Sequence, residues 1–216
     1  MPSTTIDLFI TSFGETLLMT GVSGLLGSLL GGLLGLFLHL ARRGVVSAPT
    51  TSRVIGVAVQ GLKSTPSIIV LAASIPLTHF ILGSATGLGA TLVPLTLIGT
   101  AVVARHVEAA MNEVDRHVVE AAQTMGASHW QIISRVLVPE ASAGIVAGIG
   151  ITLASLVGYS ALAGAIGGGG LGDLGIRYGY ANFLPEVMLA SVLMLVVLAE
   201  SFHVLGNVLA QRLNQR

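Results

Sequence analysis

The chain contains no cysteine, which excludes disulfides, thiolate metal sites and cysteine nucleophiles together. Charge is nearly as scarce. Asp, Glu, Lys and Arg make up 9% of the 216 residues, and ten basic against ten acidic side chains leave no net charge. Bulk electrostatics therefore do not point to nucleic acid. No Lys or Arg precedes Arg42, so the basic n-region of a cleavable signal peptide is missing and the first apolar segment is expected to be retained. The only lysine, Lys63, follows Leu62. A Walker A loop needs a lysine directly after its last glycine to reach the phosphates, so the chain is not expected to hydrolyse ATP by that route. The six histidines include no His-x-x-x-His set, so neither a metal nor another cofactor is expected.

Apolar residues fill the space that charge leaves. They make up 53% of the chain, with a mean hydropathy of +0.88. Because about 20 consecutive apolar residues cross a bilayer, the expected fold is an all-α membrane protein. It is a single transmembrane domain over residues 1–216, with five transmembrane helices at 16–40, 54–82, 88–104, 139–166 and 186–209. The first carries Gly27, Gly31 and Gly35 at intervals of four, a small-xxx-small face for close helix approach, and Gly144 and Gly148 repeat the device in the fourth. Pro66 and Pro76 are expected to bend the second span and Pro94 the third. Arg105 and His106 are expected to close the third. His39, His79 and His106 lie near span ends and read as interfacial. Glu200 and His203, i and i+3 in the last span, read as a pair sharing a proton or hydrogen bond near the headgroups.

Basic residues set the orientation. With five spans, Arg42, Arg43, Arg53, Lys63, Arg105, Arg116, Arg135, Arg212 and Arg216 fall on one side and only Arg177 on the other. The basic side is expected to be cytoplasmic, which puts the N-terminus outside and the C-terminus inside a bacterial inner membrane.

Between spans three and four, residues 112–138 are not built for lipid. From Asp115 to Met125 the apolar Val118, Val119, Ala122 and Met125 share a helical face, while Arg116, His117, Glu120 and Gln123 stay polar. Gly126 is expected to stop this helix at a left-handed C′ position. Ser128 and Gln131 have capping-box spacing for a second short helix, which is expected to end before Pro139. Two short polar helices bent at a glycine between membrane spans have the form of a docking element.

Glu120-Ala121-Ala122, three residues, Gly126, nine residues, then Val136-Leu137-Val138-Pro139 resembles the EAA loop of ABC importer permeases. Val136 and Val138 stand where Ile and Leu are usual. Leu156 to Ala161, Gly170-Leu171-Gly172 and Arg177-Tyr178-Gly179-Tyr180 look like the corresponding stretches of methionine importer permeases, and Lys63-Ser64-Thr65-Pro66 is similar to a basic-x-x-Pro element of amino-acid permeases. The resemblance implies that residues 112–138 form a cytoplasmic coupling helix seated in a separate ATPase. Glu120, Ala121, Ala122, Met125, Gly126 and Trp130 would make that contact. It implies two copies of the chain, two ATPase subunits, an extracytoplasmic binding protein, and methionine carried by alternating access. Tyr159, Ser160 and Leu162, ahead of the turn at the outer end of span four, are candidates to line or gate the pathway.

Other readings fit less. Gly167 to Gly172 satisfies G-x-G-x-x-G, but no strand precedes it, and a tightly packed or flexible extracytoplasmic turn is expected. Gly158-Tyr159-Ser160-Ala161-Leu162 begins like a nucleophile elbow with His203 as a base, but Leu162 replaces the closing glycine. An ion-coupled secondary transporter usually shows repeated halves, and none is visible. Within the ABC class the alternative cargo is another amino acid, a short peptide or a sulfonate.

Overall fold

A computed structural model describes residues 3–43, 49–84 and 86–214, and all regular structure among them is helical. Four helical segments are long and apolar enough to cross a bilayer: Ile6–Arg42, Leu88–Asn112, His129–Gly168 and Pro185–Asn214. A further apolar segment is bent. Helix α1 (Ser3–Arg42) is followed by α2 (Pro49–Ser64), α3 (Ser67–Ala73) and α4 (Ile75–Leu82). The axis turns through 112° between α2 and α3, at Pro66. The expected second span is thus three short helices, because Pro66 can neither donate to the preceding turn nor admit α-conformation at Thr65. Pro76 opens α4, where its missing N–H costs nothing. Helix α2 already begins at Pro49, ahead of the expected start of the second span at residue 54; residues 44–48, like Arg216, lie outside the described part.

The bundle is organised by α1 against α5 (Leu88–Asn112). A methyl group at Gly31 would stand 2.7 Å from Thr100 O and one at Gly35 2.5 Å from Ala104 O, so this glycine face brings two backbones into contact, as its spacing predicts. Helix α8 (Val138–Ala163) lays Gly144 and Gly148 against Ala110 and His106 of α5. Its other side meets α10 (Pro185–Asn214), where Gly150 faces Gly206. Met19, Leu95, Ile98 and Leu156 fill the centre, and Val103, Val107, Met111 and Leu137 fill one end. Outward faces of α1 and α10 are rows of exposed Leu and Val, which suits lipid as solvent.

Three further expectations are corrected. Arg105 and His106 do not end the helix of the third span; α5 continues to Asn112, where Glu108 one turn on neutralises Arg105. His39 is buried rather than interfacial, with Nδ1 3.0 Å from Asn112 Oδ1. Glu200 and His203 form no ion pair or hydrogen bond among the described residues. Glu200 is exposed, and the buried stripe of α10 is Ser191, Leu198, Gly206 and Ala210, so the carboxylate points away from the bundle.

Candidate functional site

The polar segment folds as a self-capped hairpin. Helix α6 (Arg116–Thr124) begins at Asp115, whose Oδ1 accepts from His117 N–H at 2.9 Å and satisfies one orphan donor of the first turn. At the other end Ala127 N–H donates to Ala122 O and Gly126 N–H to Gln123 O, the Schellman pattern. Gly126 has φ +81°, a conformation that glycine takes without steric cost. Helix α7 (His129–Ile132) carries the capping box: Ser128 N–H donates to Gln131 Oε1 at 2.8 Å and Gln131 N–H to Ser128 Oγ at 3.3 Å. The second helix does not stop before Pro139. A π turn over Ile133–Leu137, in which Val138 N–H reaches Ile133 O, carries α7 directly into α8. The wider turn makes room for a proline ring that would strike the carbonyl four residues back.

Only one edge of the expected apolar face is used inside the protomer. Val119 packs on the cluster of Met111, Val114 and Leu137, and Ala122 is half-buried. Val118, Met125 and Trp130 turn outward, Met125 at 86% and Trp130 at 72% exposure. Glu120, Ala121 and Gly126 are exposed beside them. Five of the six candidate docking residues are thus exposed, and Ala122 is half-buried. Met125 and Trp130 are large apolar side chains left in the open on an otherwise polar hairpin.

The second candidate region is a cavity of about 460 Å³ at the break before α3. Lys63, Thr65 and Ser67 face His106, Ser155 and Tyr159 across it, with Val70, Ile98 and Val102 as apolar wall. The basic-x-x-Pro stretch and Tyr159, separate in sequence, meet here. Ser160 and Leu162 do not join them: Ser160 is buried with Oγ donating to Val157 O at 2.7 Å, and Leu162 is on an exposed face. His106 was expected only as an interfacial residue at a span end, and Ser155 was not singled out by its sequence context. Among the described residues no cluster of three His, Asp or Glu side chains could hold a metal.

At the far end of α8 the glycine run is packed, not loose. Gly170 N–H donates to Glu15 Oε2 at 2.7 Å, and Leu171 N–H donates to Thr16 Oγ1 at 2.9 Å. These two groups of α1 cap α9 (Gly170–Leu174) from outside. Gly169 and Gly170 have φ of +84° and +78°, and a methyl group at Gly170 would stand 2.7 Å from Thr16 Oγ1. A π segment, Gly175–Tyr180, then leads to α10.

A bundle of apolar helices with a capped polar hairpin at one end and a mixed polar and apolar cavity at a broken helix has the build of a membrane transport component. The chain belongs to the family of binding-protein-dependent transport system inner membrane components, whose model matches residues 10–216. It is accordingly a multi-pass inner-membrane protein. It is 41% identical over 211 residues to the probable D-methionine transport system permease protein MetI of Vibrio cholerae, covering 97% of this chain and 94% of that one. The D-methionine transport system permease protein MetI of Escherichia coli K12 is 40% identical over 158 residues, 73% of either chain. Among solved structures, an inward-facing MetNI methionine ABC transporter superposes with a TM-score of 0.94 at 38% identity, covering 99% of both chains. An amino acid ABC transporter crystallised with histidines shares the fold, with a TM-score of 0.78 at 23% identity over 97% and 95% of the two chains.

Proposed function

We propose that this chain is the membrane-spanning permease of an ATP-driven importer of methionine. Two copies form the pathway, two separate ATPase subunits supply the energy, and an extracytoplasmic binding protein delivers the cargo. The observation that carries the reading is the α6–α7 hairpin: capped within itself, and presenting Met125 and Trp130 to a partner. The relatives that are 40% and 41% identical bear methionine permease names. Charge asymmetry supports a cytoplasmic hairpin, an outside N-terminus and an inside C-terminus.

In this reading the hairpin sits in the ATPase, with Glu120, Ala121, Ala122, Met125, Gly126 and Trp130 at the contact. Closure of the ATPase dimer on nucleotide moves it as a lever. The π turn and α8 are one continuous helix with α7, so displacement at Trp130 is passed to Tyr159 at the cavity. Methionine would meet Val70, Ile98 and Val102 with its apolar side chain and Lys63, Thr65 and Tyr159 with its polar groups. Ser160 and Leu162 then act on the pathway only through helix packing.

The test is reconstitution of the chain with its ATPase and binding protein in liposomes. Methionine uptake should require ATP and all three components. Trp130→Ala with Met125→Ala should lower both uptake and ATPase recovery. Uptake of another amino acid, a peptide or a sulfonate in place of methionine would move the cargo; uptake without the ATPase, driven by an ion gradient, would overturn the class.

A further inference from the structure

A second, larger cleft of about 710 Å³ lies between the C-terminal end of α1, the length of α2, and α5. Beside Val57, the residues of α2 that face it include Ser52, Arg53, Gly56, Gln60, Gly61 and Ser64, which recur every three or four positions. Most are small, which leaves the groove open. Arg42 of α1 and Arg105 of α5 complete the wall.

Its charge is unbalanced. Glu108, buried, is the carboxylate beside these guanidinium groups, with Oε1 2.8 Å from Arg42 Nη1 and Oε2 2.8 Å from Arg105 Nη1. The Arg42 contact lies outside hydrogen-bond geometry and is an ion-pair contact only. Arg105 Nη2 donates to Gly56 O at 2.6 Å, while its Nε is buried with no partner. Arg53, exposed, has no ion-pair partner among the described residues. Three positive groups against one negative leave an excess of two. Ser64 Oγ accepts from Gln60 Nε2 at 3.4 Å and keeps its own proton to donate.

The depth suits a headgroup. The 25 residues of α5 measure roughly 37 Å at 1.5 Å each, longer than the roughly 30 Å hydrocarbon core. Arg105 stands about 10 Å from the end of that helix, at the boundary between acyl chains and headgroups. Apolar surface adjoins the charge: Val57 lines the cleft and Val54 lies beside it, 67% and 63% exposed. A soluble anion would have no use for that surface, whereas acyl chains would cover it.

We propose that this cleft binds a phosphate-bearing anion, and that the anion is the headgroup of an acidic phospholipid. Its phosphate lies between Arg53 and Arg42, beside the Arg105 guanidinium in the cleft wall, with Ser64 as a neutral donor. Basic clefts between membrane helices at headgroup level recognise acidic lipids in this way. The inference rests on membrane insertion of the chain and not on its cargo.

Native mass spectrometry of the purified permease–ATPase complex, titrated with phosphatidylglycerol, phosphatidylethanolamine or inorganic phosphate, tests it. Phosphatidylglycerol should bind at least fivefold tighter than phosphatidylethanolamine, and Arg53→Gln should weaken it by about fivefold, the effect of one surface arginine. Arg212→Gln, on α10, controls for bulk charge and should leave binding unchanged. Equal affinity for the two lipids, or an Arg53→Gln complex that binds like the parent, overturns the site. Displacement of phosphatidylglycerol by millimolar inorganic phosphate would mark a soluble-anion site and overturn the lipid assignment.

Discussion

Two of the bent helical segments in the apolar bundle are built on opposite principles. The α6–α7 hairpin satisfies its own ends, through Asp115, Gly126 and the Ser128–Gln131 box, and leaves its large apolar side chains in the open. The segment from Gly164 to Tyr180 borrows its caps from α1, through Glu15 and Thr16, and buries Gly170, Leu171, Gly172 and Leu174. A segment that caps its own ends can move as a unit and meet a partner. One that is capped by a neighbour is held in place by it.

Their C-terminal stops sharpen the contrast. Both use the Schellman pattern, but the C′ residue is Gly126 in the first and Phe183 in the second, where Leu184 N–H donates to Gly179 O and Phe183 N–H to Tyr180 O. Phe183 has φ +54° and is 87% exposed, so no packing within the protomer offsets its strained backbone.

The largest effect is expected at the movable segment. Gly126→Pro cannot adopt φ +81° and loses the Gly126 N–H donor; uptake should fall to background while membrane insertion, read by protease protection, is unchanged. Normal uptake would break the comparison. In the fixed segment, Gly170→Val places a β-branched side chain at φ +78° against Thr16 and should cost about 3 kcal/mol, read as a large drop in thermal stability of the purified complex. Glu15→Ala leaves Gly170 N–H unpaired and should cost about 2 kcal/mol. A Glu15→Ala protein of parental stability would show that the segment holds itself. The smallest effect has the opposite sign: Phe183→Gly should stabilise by about 0.5–1 kcal/mol, strain relief less the entropy that glycine adds to the unfolded chain.

The hairpin was legible in the sequence because its signals are local: an Asp, a glycine, and a Ser with a Gln three residues on. The close approach of α1 to α5 was legible for the same reason, as glycines every four residues. Long-range pairings were not. Glu15 with Gly170 is separated by 155 residues, and Glu108 joins Arg42 across two helices. Charges that neutralise one another inside a helix look, in sequence, like charges that end it, which is why α5 runs past Arg105. Phe183 gives no local signal of a left-handed turn. The cavity at Pro66 was half legible, since proline marks the break but nothing nearby points to Tyr159.

The absence of cysteine makes the central claim directly measurable. A single Met125→Cys in the otherwise thiol-free chain can be labelled with a membrane-impermeant maleimide in right-side-out and inside-out vesicles, with and without the ATPase. The account predicts labelling only in inside-out vesicles, and strong protection once the ATPase is bound. Labelling from the outer side, or a rate that the ATPase leaves unchanged, would contradict it.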